Sequence, residues 1–273
     1  MKMVYRFLSF IVPLIMICAT PVLPGTAHAG KPPAIQAGAV VLMEAKTGKV
    51  LYAKNAHRVL PPASTTKIMT AILAIEEGDL RDEVWVGPRA ARERGSSMHL
   101  TRGERRTLEE LLYGLLLPSG NDAAVAIAEH IAGTEWGFAQ MMTEKAKRIG
   151  LKNTGFQNAS GLPAYGHYST AYDLAVLTRY ALQNRVFARI VRTKVKTVPG
   201  PGKGSTRRLR NNNRLLWDYK YATGVKTGYT SSAGSCLVAS ATKNGKTLIA
   251  VILRSAQRFT GAERLFEYGF ALL

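Results

Sequence analysis

The stretch Ser235-Cys236-Leu237-Val238-Ala239-Ser240-Ala241-Thr242-Lys243-Asn244-Gly245-Lys246-Thr247-Leu248-Ile249-Ala250-Val251-Ile252-Leu253 decides the fold. Two apolar, β-type runs, residues 235–241 and 247–253, flank an Asn-Gly pair. That pair between such runs is the strongest short-range hairpin signal, because the tight turn needs positive φ at its central residues. Toward the other end, residues 38–43 and 50–53 read as two further strands around Lys46-Thr47-Gly48-Lys49. Between the two strand pairs the period changes from two to that of a helix. Ser64 opens a helical pattern carried by Ile68, Met69, Ile72, Leu73 and Ile75, and Gly78 is placed to stop it. Further helices are predicted over residues 107–117, where Thr107 and Glu110 have capping-box spacing, and over 122–132, 135–149 and 170–183. Residues 81–104 read as irregular strands and loops, and residues 199–205 as a Gly/Pro loop. A last amphipathic segment, 262–273, can cover one face of the sheet. Strands at both ends with helices between them predict an α+β fold, an antiparallel sheet formed by both chain ends with a helical subdomain.

Three short motifs fall at suggestive places on this frame. In Ser64-Thr65-Thr66-Lys67 a hydroxyl sits at a helix start, where unpaired N–H groups and the positive dipole end converge. Lys67 is one turn along the same face and within reach of it. An ordinary lysine is protonated at neutral pH, so a role as base requires burial or a neighbouring positive charge, for which Lys226 is the candidate. The plain alternative is a helix cap beside a solvated lysine. Ser119-Gly120-Asn121 follows Pro118 between two helices, the place for an exposed loop tip. Ser119 could relay a proton there, and Asn121 could hold a substrate carbonyl or orient Lys67; a simple helix-joining turn would look the same. Lys226-Thr227-Gly228, with Tyr229 next, lies on a strand edge that offers a backbone to pair with, and Gly228 permits close approach. Lys226 and Thr227 could grip a carboxylate, while the N–H groups of Ser64 and Tyr229 could form an oxyanion hole. Together the three describe one acyl-transfer site.

The N-terminus and the composition bound where such a site would work. Residues 1–29 read as a secretory signal: Lys2 and Arg6, an apolar run over 7–18, then Ala27-His28-Ala29 as the cleavage signature. The run is too short, and broken by Pro13, to span a membrane. Cleavage after Ala29 would start the mature chain at Gly30. A lipoprotein alternative would use Cys18, against which stands Ile17 where such signals want a small residue. The formal charge of +19 falls to +17 without Lys2 and Arg6, the only charges in that segment. Such a surplus suits a polyanionic neighbour such as an acidic wall polymer or anionic lipid, or simply solubility. Nucleic acid is disfavoured for an exported chain whose cations are scattered. Without Cys18, Cys236 stands alone, so no internal disulfide is available, and it reads as a buried small hydrophobe. The five histidines lack metal-ligand spacing, and neither metal nor cofactor is expected.

With the motifs in view, the chain resembles the low-molecular-mass penicillin-binding proteins, the serine-type D-alanyl-D-alanine carboxypeptidase (peptidase S11-like) family that trims peptidoglycan stem peptides. The likeness spans nearly all of residues 36–273. Pro62-Ala63-Ser64-Thr65-Thr66-Lys67-Ile68-Met69-Thr70 is similar to the family's nucleophile block, and residues 111–124, with Tyr113-Gly114 and Pro118-Ser119-Gly120-Asn121-Asp122, to its second. Gly224-Val225-Lys226-Thr227-Gly228-Tyr229-Thr230 resembles its third; Phe156-Gln157-Asn158, Gly161-Leu162, His167–Ala171 with Asp173-Leu174, and Asn211–Leu216 also match. The resemblance implies a β-lactamase/transpeptidase-like fold, with residues 30–273 as the catalytic domain. It implies Ser64 as acyl-enzyme nucleophile, Lys67 as proton acceptor, Ser119 as relay, and Lys226, with Arg258, as ligands of the terminal carboxylate. His167 and Asp173 are expected to brace a loop. Peptidoglycan stem peptides would be the substrate and β-lactam antibiotics covalent inhibitors, outside the cytoplasmic membrane, with at most loose electrostatic attachment to membrane or wall. Many members carry a second β-rich domain and an amphipathic anchor; the end at Leu273 leads to the expectation of neither. That shortening also resembles the endopeptidase branch, which cuts the D-alanyl cross-link. A class A-like β-lactamase is disfavoured by Gly120, where that class has Asp, and by the lack of a glutamate placed to activate water. A non-catalytic β-lactam sensor is disfavoured by the lack of a later apolar span.

Overall fold

The computed structural model describes residues 1–4 and 31–273. Apart from residues 1–4, the expected signal segment, its cleavage point after Ala29 and the Cys18 alternative lie outside the described residues. Strands β1 (Ala39–Glu44) and β2 (Val50–Lys54) lead through a short 3-10 turn (Ala63–Thr66) into α1 (Lys67–Glu77). Next come β3 (Glu83–Trp85), α2 (Pro88–Ala91), β4 (Arg105–Thr107), α3 (Leu108–Leu116), α4 (Asn121–Ala132) and α5 (Glu135–Arg148). Then follow α6 (Ala171–Ala181), α7 (Arg185–Arg192), β5 (Val195–Pro199), β6 (Thr206–Arg210) and α8 (Leu215–Asp218). The chain closes with β7 (Ala222–Thr230), β8 (Gly234–Lys243), β9 (Lys246–Leu253) and α9 (Arg258–Ala271).

The expected sheet forms. Among the described residues, five antiparallel strands take the order β2-β1-β9-β8-β7, so β1 pairs with β9 and the two chain ends meet at its centre. The β8–β9 hairpin closes at Lys243 opposite Lys246, with Asn244 and Gly245 both at positive φ, as the turn demands. Strand alternation divides the core into two layers. Val41 and Met43 of β1 and Ile249 and Val251 of β9 face the helices, whereas Val40, Leu42, Leu248, Ala250 and Ile252 pack against Ala262, Leu265 and Phe266 of α9. Burying one such side chain contributes roughly 1.5–3 kcal/mol, so α9 holds its face of the sheet mainly through Leu265 and Phe266.

The helical layer is specified locally as well as by packing. Thr107 and Glu110 form the full capping box at α3, and Thr170 caps α6 by accepting from Asp173 N. Short helices α2 and α8 are not among the expected elements, and two larger elements also differ from the expectation. Residues 185–192 form α7, capped by the Asn184 side chain, and the Gly/Pro loop is the tip of a hairpin, β5–β6. This arrangement leaves β7 as an edge strand beside the 3-10 turn that carries Ser64.

Candidate active site

Ser64 lies in the 3-10 turn that runs into α1. Ala63 adopts positive φ (50°), an uncommon conformation for a residue with a side chain, and turns the chain sharply at that point. The turn abuts β7 at Gly228: a Cβ there would stand 3.0 Å from Ser64 N and 3.2 Å from Thr65 N. The space Gly228 leaves is therefore filled by the backbone that carries Ser64, which brings the serine N–H beside the strand edge. Gly161 does the same from the other side, since a Cβ at its position would meet Ala63 O at 2.0 Å. The residues on either side of Ser64 are thus clamped between two glycines.

Lys67 is fully buried. Its Nζ donates to Asn121 Oδ1 at 2.7 Å and to Ser160 O at 2.6 Å, and lies 3.0 Å from Ser64 Oγ. Burial first, and the charge of Lys226 second, push the Lys67 ammonium well below the ordinary lysine range, against the pull of Asp122, Glu93 and Glu135. A neutral amine has two N–H donors and one lone pair. Two neighbours are acceptor-only, a carbonyl and an amide oxygen, and they take both donors. The lone pair is left for the Ser64 hydroxyl, the arrangement of a general base.

Asn121 thus touches Lys67 through Oδ1, while its Nδ2 donates to Arg94 O. Ser119 departs from the exposed tip expected of it. It is 4% exposed, with φ of 72°, in the tight link between α3 and α4, and Asn212 Nδ2 and N donate to Pro118 O and Leu117 O beside it. A strained backbone fixed by its surroundings is characteristic of a side chain that must point one way.

An open cavity of about 390 Å³ is lined by Ser64, Ser96, Ser119, Asn212, Arg214, Thr227, Gly228, Tyr229, Arg258 and Phe259. Ser64, Ser119, Thr227, Gly228, Tyr229 and Arg258 thus come together on one cleft; Lys67 and Asn121 lie behind Ser64. Lys226 is 1% exposed and also lies behind the cleft wall, its Nζ donating to Thr227 O. Burial first, and Arg258 second, lower it to about 7. Arg258 Nη1 donates to Gly228 O and Cys236 O, which fixes the guanidinium across the β7–β8 pair and leaves its other N–H groups for a ligand.

His167 and Asp173 brace a loop, as expected. Asp173 Oδ2 accepts from Asn153 N and Thr154 Oγ1. Gln157 N donates to His167 Nδ1, so the ring carries its proton on Nε2 and donates to Thr66 Oγ1 at 2.8 Å. Burial, then Lys67, lower His167 to about 4, which keeps the ring neutral. Sequence reasoning missed the Ser160 carbonyl and gave Ser96 and Phe259 no part in the site. A backbone carbonyl has no side-chain signature, so nothing in the sequence could have marked it. Among the described residues no group of His, Cys, Asp and Glu could hold a metal ion, and no helix is long and apolar enough to cross a membrane.

Comparison with known proteins agrees with this geometry. Residues 26–257 match the peptidase S11 family, described as D-alanyl-D-alanine carboxypeptidase. The chain is 40% identical to the D-alanyl-D-alanine carboxypeptidase DacF of Bacillus subtilis over 86% of its length and 62% of the relative's. It is 42% identical to DacD of Escherichia coli over 88% of its length and 64% of the relative's. It thus spans less than two thirds of these two relatives. The crystal structure of the Streptomyces K15 DD-transpeptidase superimposes with a TM-score of 0.84 at 35% identity, covering 88% of this chain and 99% of that one. A putative penicillin-binding protein homologue from Mycobacterium tuberculosis gives 0.85 at 31% identity, covering 90% and 96%. The fold is that of the DD-transpeptidases and penicillin-binding proteins, and the chain belongs to the D-alanyl-D-alanine carboxypeptidase family, peptidase S11.

Proposed function

We propose that this protein is a serine D-alanyl-D-alanine carboxypeptidase that removes the terminal D-alanine of peptidoglycan stem peptides. The observation that carries the reading is the set of three contacts at Lys67 Nζ: with Asn121 Oδ1 and Ser160 O as acceptors, the neutral amine has its lone pair left for the Ser64 hydroxyl 3.0 Å away. Ser64 Oγ attacks the carbonyl of the penultimate D-alanine as Lys67 takes its proton. The N–H groups of Ser64 and Tyr229 hold the developing oxyanion. Ser119 passes the proton to the leaving amine, and the acyl-enzyme is then hydrolysed. Thr227 and Arg258 face the cleft and receive the terminal carboxylate. Lys226, buried behind them, carries positive charge below about pH 7 and there adds to burial in opposing protonation of Lys67.

We further propose residues 1–29 as an export signal cleaved after Ala29, an extracytoplasmic site of action, and β-lactams as covalent inhibitors. The test is direct. Incubation of the protein with penicillin is expected to give an intact-mass adduct that Ser64→Ala abolishes, and incubation with uncross-linked pentapeptide muropeptides to release D-alanine. An adduct that survives Ser64→Ala would place the nucleophile elsewhere. Cleavage of cross-linked muropeptides with no release from pentapeptides would establish the endopeptidase reading instead.

A further inference from the structure

Behind Lys67 runs a connected set of groups that the acyl-transfer chemistry does not itself use. Glu135, in the first turn of α5, is 6% exposed. Its Oε1 accepts from Ala159 N at 3.1 Å, and its Oε2 is paired with Arg89 of α2. Ala159 O accepts from Thr70 Oγ1 at 2.6 Å, and Thr70 lies one turn beyond Lys67 on α1. The 159–160 segment is therefore held from both sides, and its next carbonyl, Ser160 O, is the acceptor 2.6 Å from Lys67 Nζ. Arg89 is half exposed and lines a surface cavity with Trp85, Glu129 and His130.

We infer that the Arg89–Glu135 pair is a positioning device for the general base: Glu135 fixes the Ser160 carbonyl that aims Lys67, and the balance of charge in the pair sets how readily Lys67 gives up its proton. The inference rests on the reading of Lys67 as the base. A buried carboxylate is costly without a partner, and one backbone N–H could have been satisfied by any carbonyl, so an ion pair here does something a neutral contact would not. The charges that face Lys67 are Lys226 from β7, Asp122 from α4, Glu93 from the segment after α2, and Glu135 from α5. His167 is neutral in the working range. Asp122 is committed to Met98 N, Leu100 N and Ser97 Oγ. Glu135 faces Arg89 and, from α4, Glu129. Of these charges, Glu135 alone meets the base through a carbonyl that touches Nζ and also has a partner that surface substitution can remove.

The test is the pH profile of acylation by benzylpenicillin. Glu135→Gln keeps an acceptor for Ala159 N but deletes the negative charge, so the acid limb is expected to move to lower pH. Arg89→Gln, a surface change, leaves Glu135 uncompensated and is expected to move the limb to higher pH. Shifts on the order of half a pH unit are expected for the gain or loss of one charge that acts on Lys67 without touching it. Opposite displacement of the two limbs, with plateau rates within about threefold of the parent, supports the inference. A purely structural role would lower the plateau and leave both limbs in place; that outcome, or displacement in the same direction, overturns it. Should Glu135→Gln fail to fold, the direction of the Arg89→Gln shift decides alone. Absence of any acylation in the parent protein would instead overturn the acyl-transfer reading.

Discussion

Replacing Lys226 by methionine should make the protein more stable at neutral pH. Lys226 is 1% exposed and makes one hydrogen bond, to the carbonyl of Thr227. Burial and the Arg258 guanidinium bring its folded value from 10.5 down to about 7. The sign follows from proton binding. Between those two values the unfolded chain holds a proton that the folded chain has released, so the parent gains stability as pH rises through the window. Below it, the folded state bears the full cost of the buried charge. At about 1.4 kcal/mol per unit, the displacement amounts to an upper bound of about 5 kcal/mol. Methionine has a similar length, carries no charge and loses one hydrogen bond worth about 1 kcal/mol. Denatured-state structure and local water lower the figure further. A net gain of about 2–4 kcal/mol at pH 7 remains, shrinking toward zero near pH 10.5. Urea unfolding followed by tryptophan fluorescence at several pH values measures it. A loss of stability at pH 7, or a gain equal at pH 7 and 10.5, would refute the reasoning. The same substitution removes a positive charge that holds Lys67 neutral, so the acid limb of acylation should move upward. Stability gained and base strength misplaced in one variant is what a lysine kept for its charge requires.

Three further outcomes can be checked with the same preparations. Lys67→Arg replaces the neutral amine by a guanidinium that stays protonated and cannot accept a proton, so acylation by penicillin should fall at least about 100-fold while the circular dichroism spectrum is retained. Gly228→Ala places a methyl 3.0 Å from Ser64 N and 3.1 Å from Ala63 Cβ, which forces the 3-10 turn away from β7; acylation should drop about tenfold or more, measured as the second-order rate constant. Arg258→Ala removes one charged donor to the terminal carboxylate and should cost roughly ten- to a hundredfold in kcat/KM for pentapeptide, with a smaller loss in penicillin acylation, whose carboxylate still meets Thr227.

How much of this was legible in the sequence depends on how local each cause is. The β8–β9 hairpin, the capped start of α3 and the apolar faces of α1 and α9 are written in residues close together in the chain, and the structure follows them. The β5–β6 hairpin is not. Its strands, Val-Lys-Thr-Val-Pro and Thr-Arg-Arg-Leu-Arg, bury little beyond Val198 and Leu209, so no alternation marks them. The hairpin is held by a contact about a hundred residues distant in sequence. Arg207 and Arg106 converge on Glu104, whose carboxyl is lowered to about 2 by hydrogen bonds from Arg207, Thr101 N and Arg106 that outweigh its burial. A cationic stretch that looks solvated is structural because its acid lies elsewhere.

The site divides along the same line. The side chains proposed to bear the chemistry stand in short motifs; spacing makes Ser64, Lys67, Ser119 and Thr227 candidates, and the family resemblance gives them their roles. What makes them a site is mostly backbone: the Ser160 carbonyl on Lys67, the positive φ of Ala63 and Ser119, and the two glycines that clamp the turn. Lys226 shows the limit most clearly. Spacing places it beside Thr227 on a strand and suggests a hand reaching into the cleft; in the structure it is buried with Nζ on the Thr227 carbonyl, while Thr227, Gly228 and Tyr229 line the cleft. With Thr227 lining the cleft and Lys226 buried behind it, the proposal that Thr227 makes the contact while Lys226 supplies the field is what the Lys226→Met variant tests.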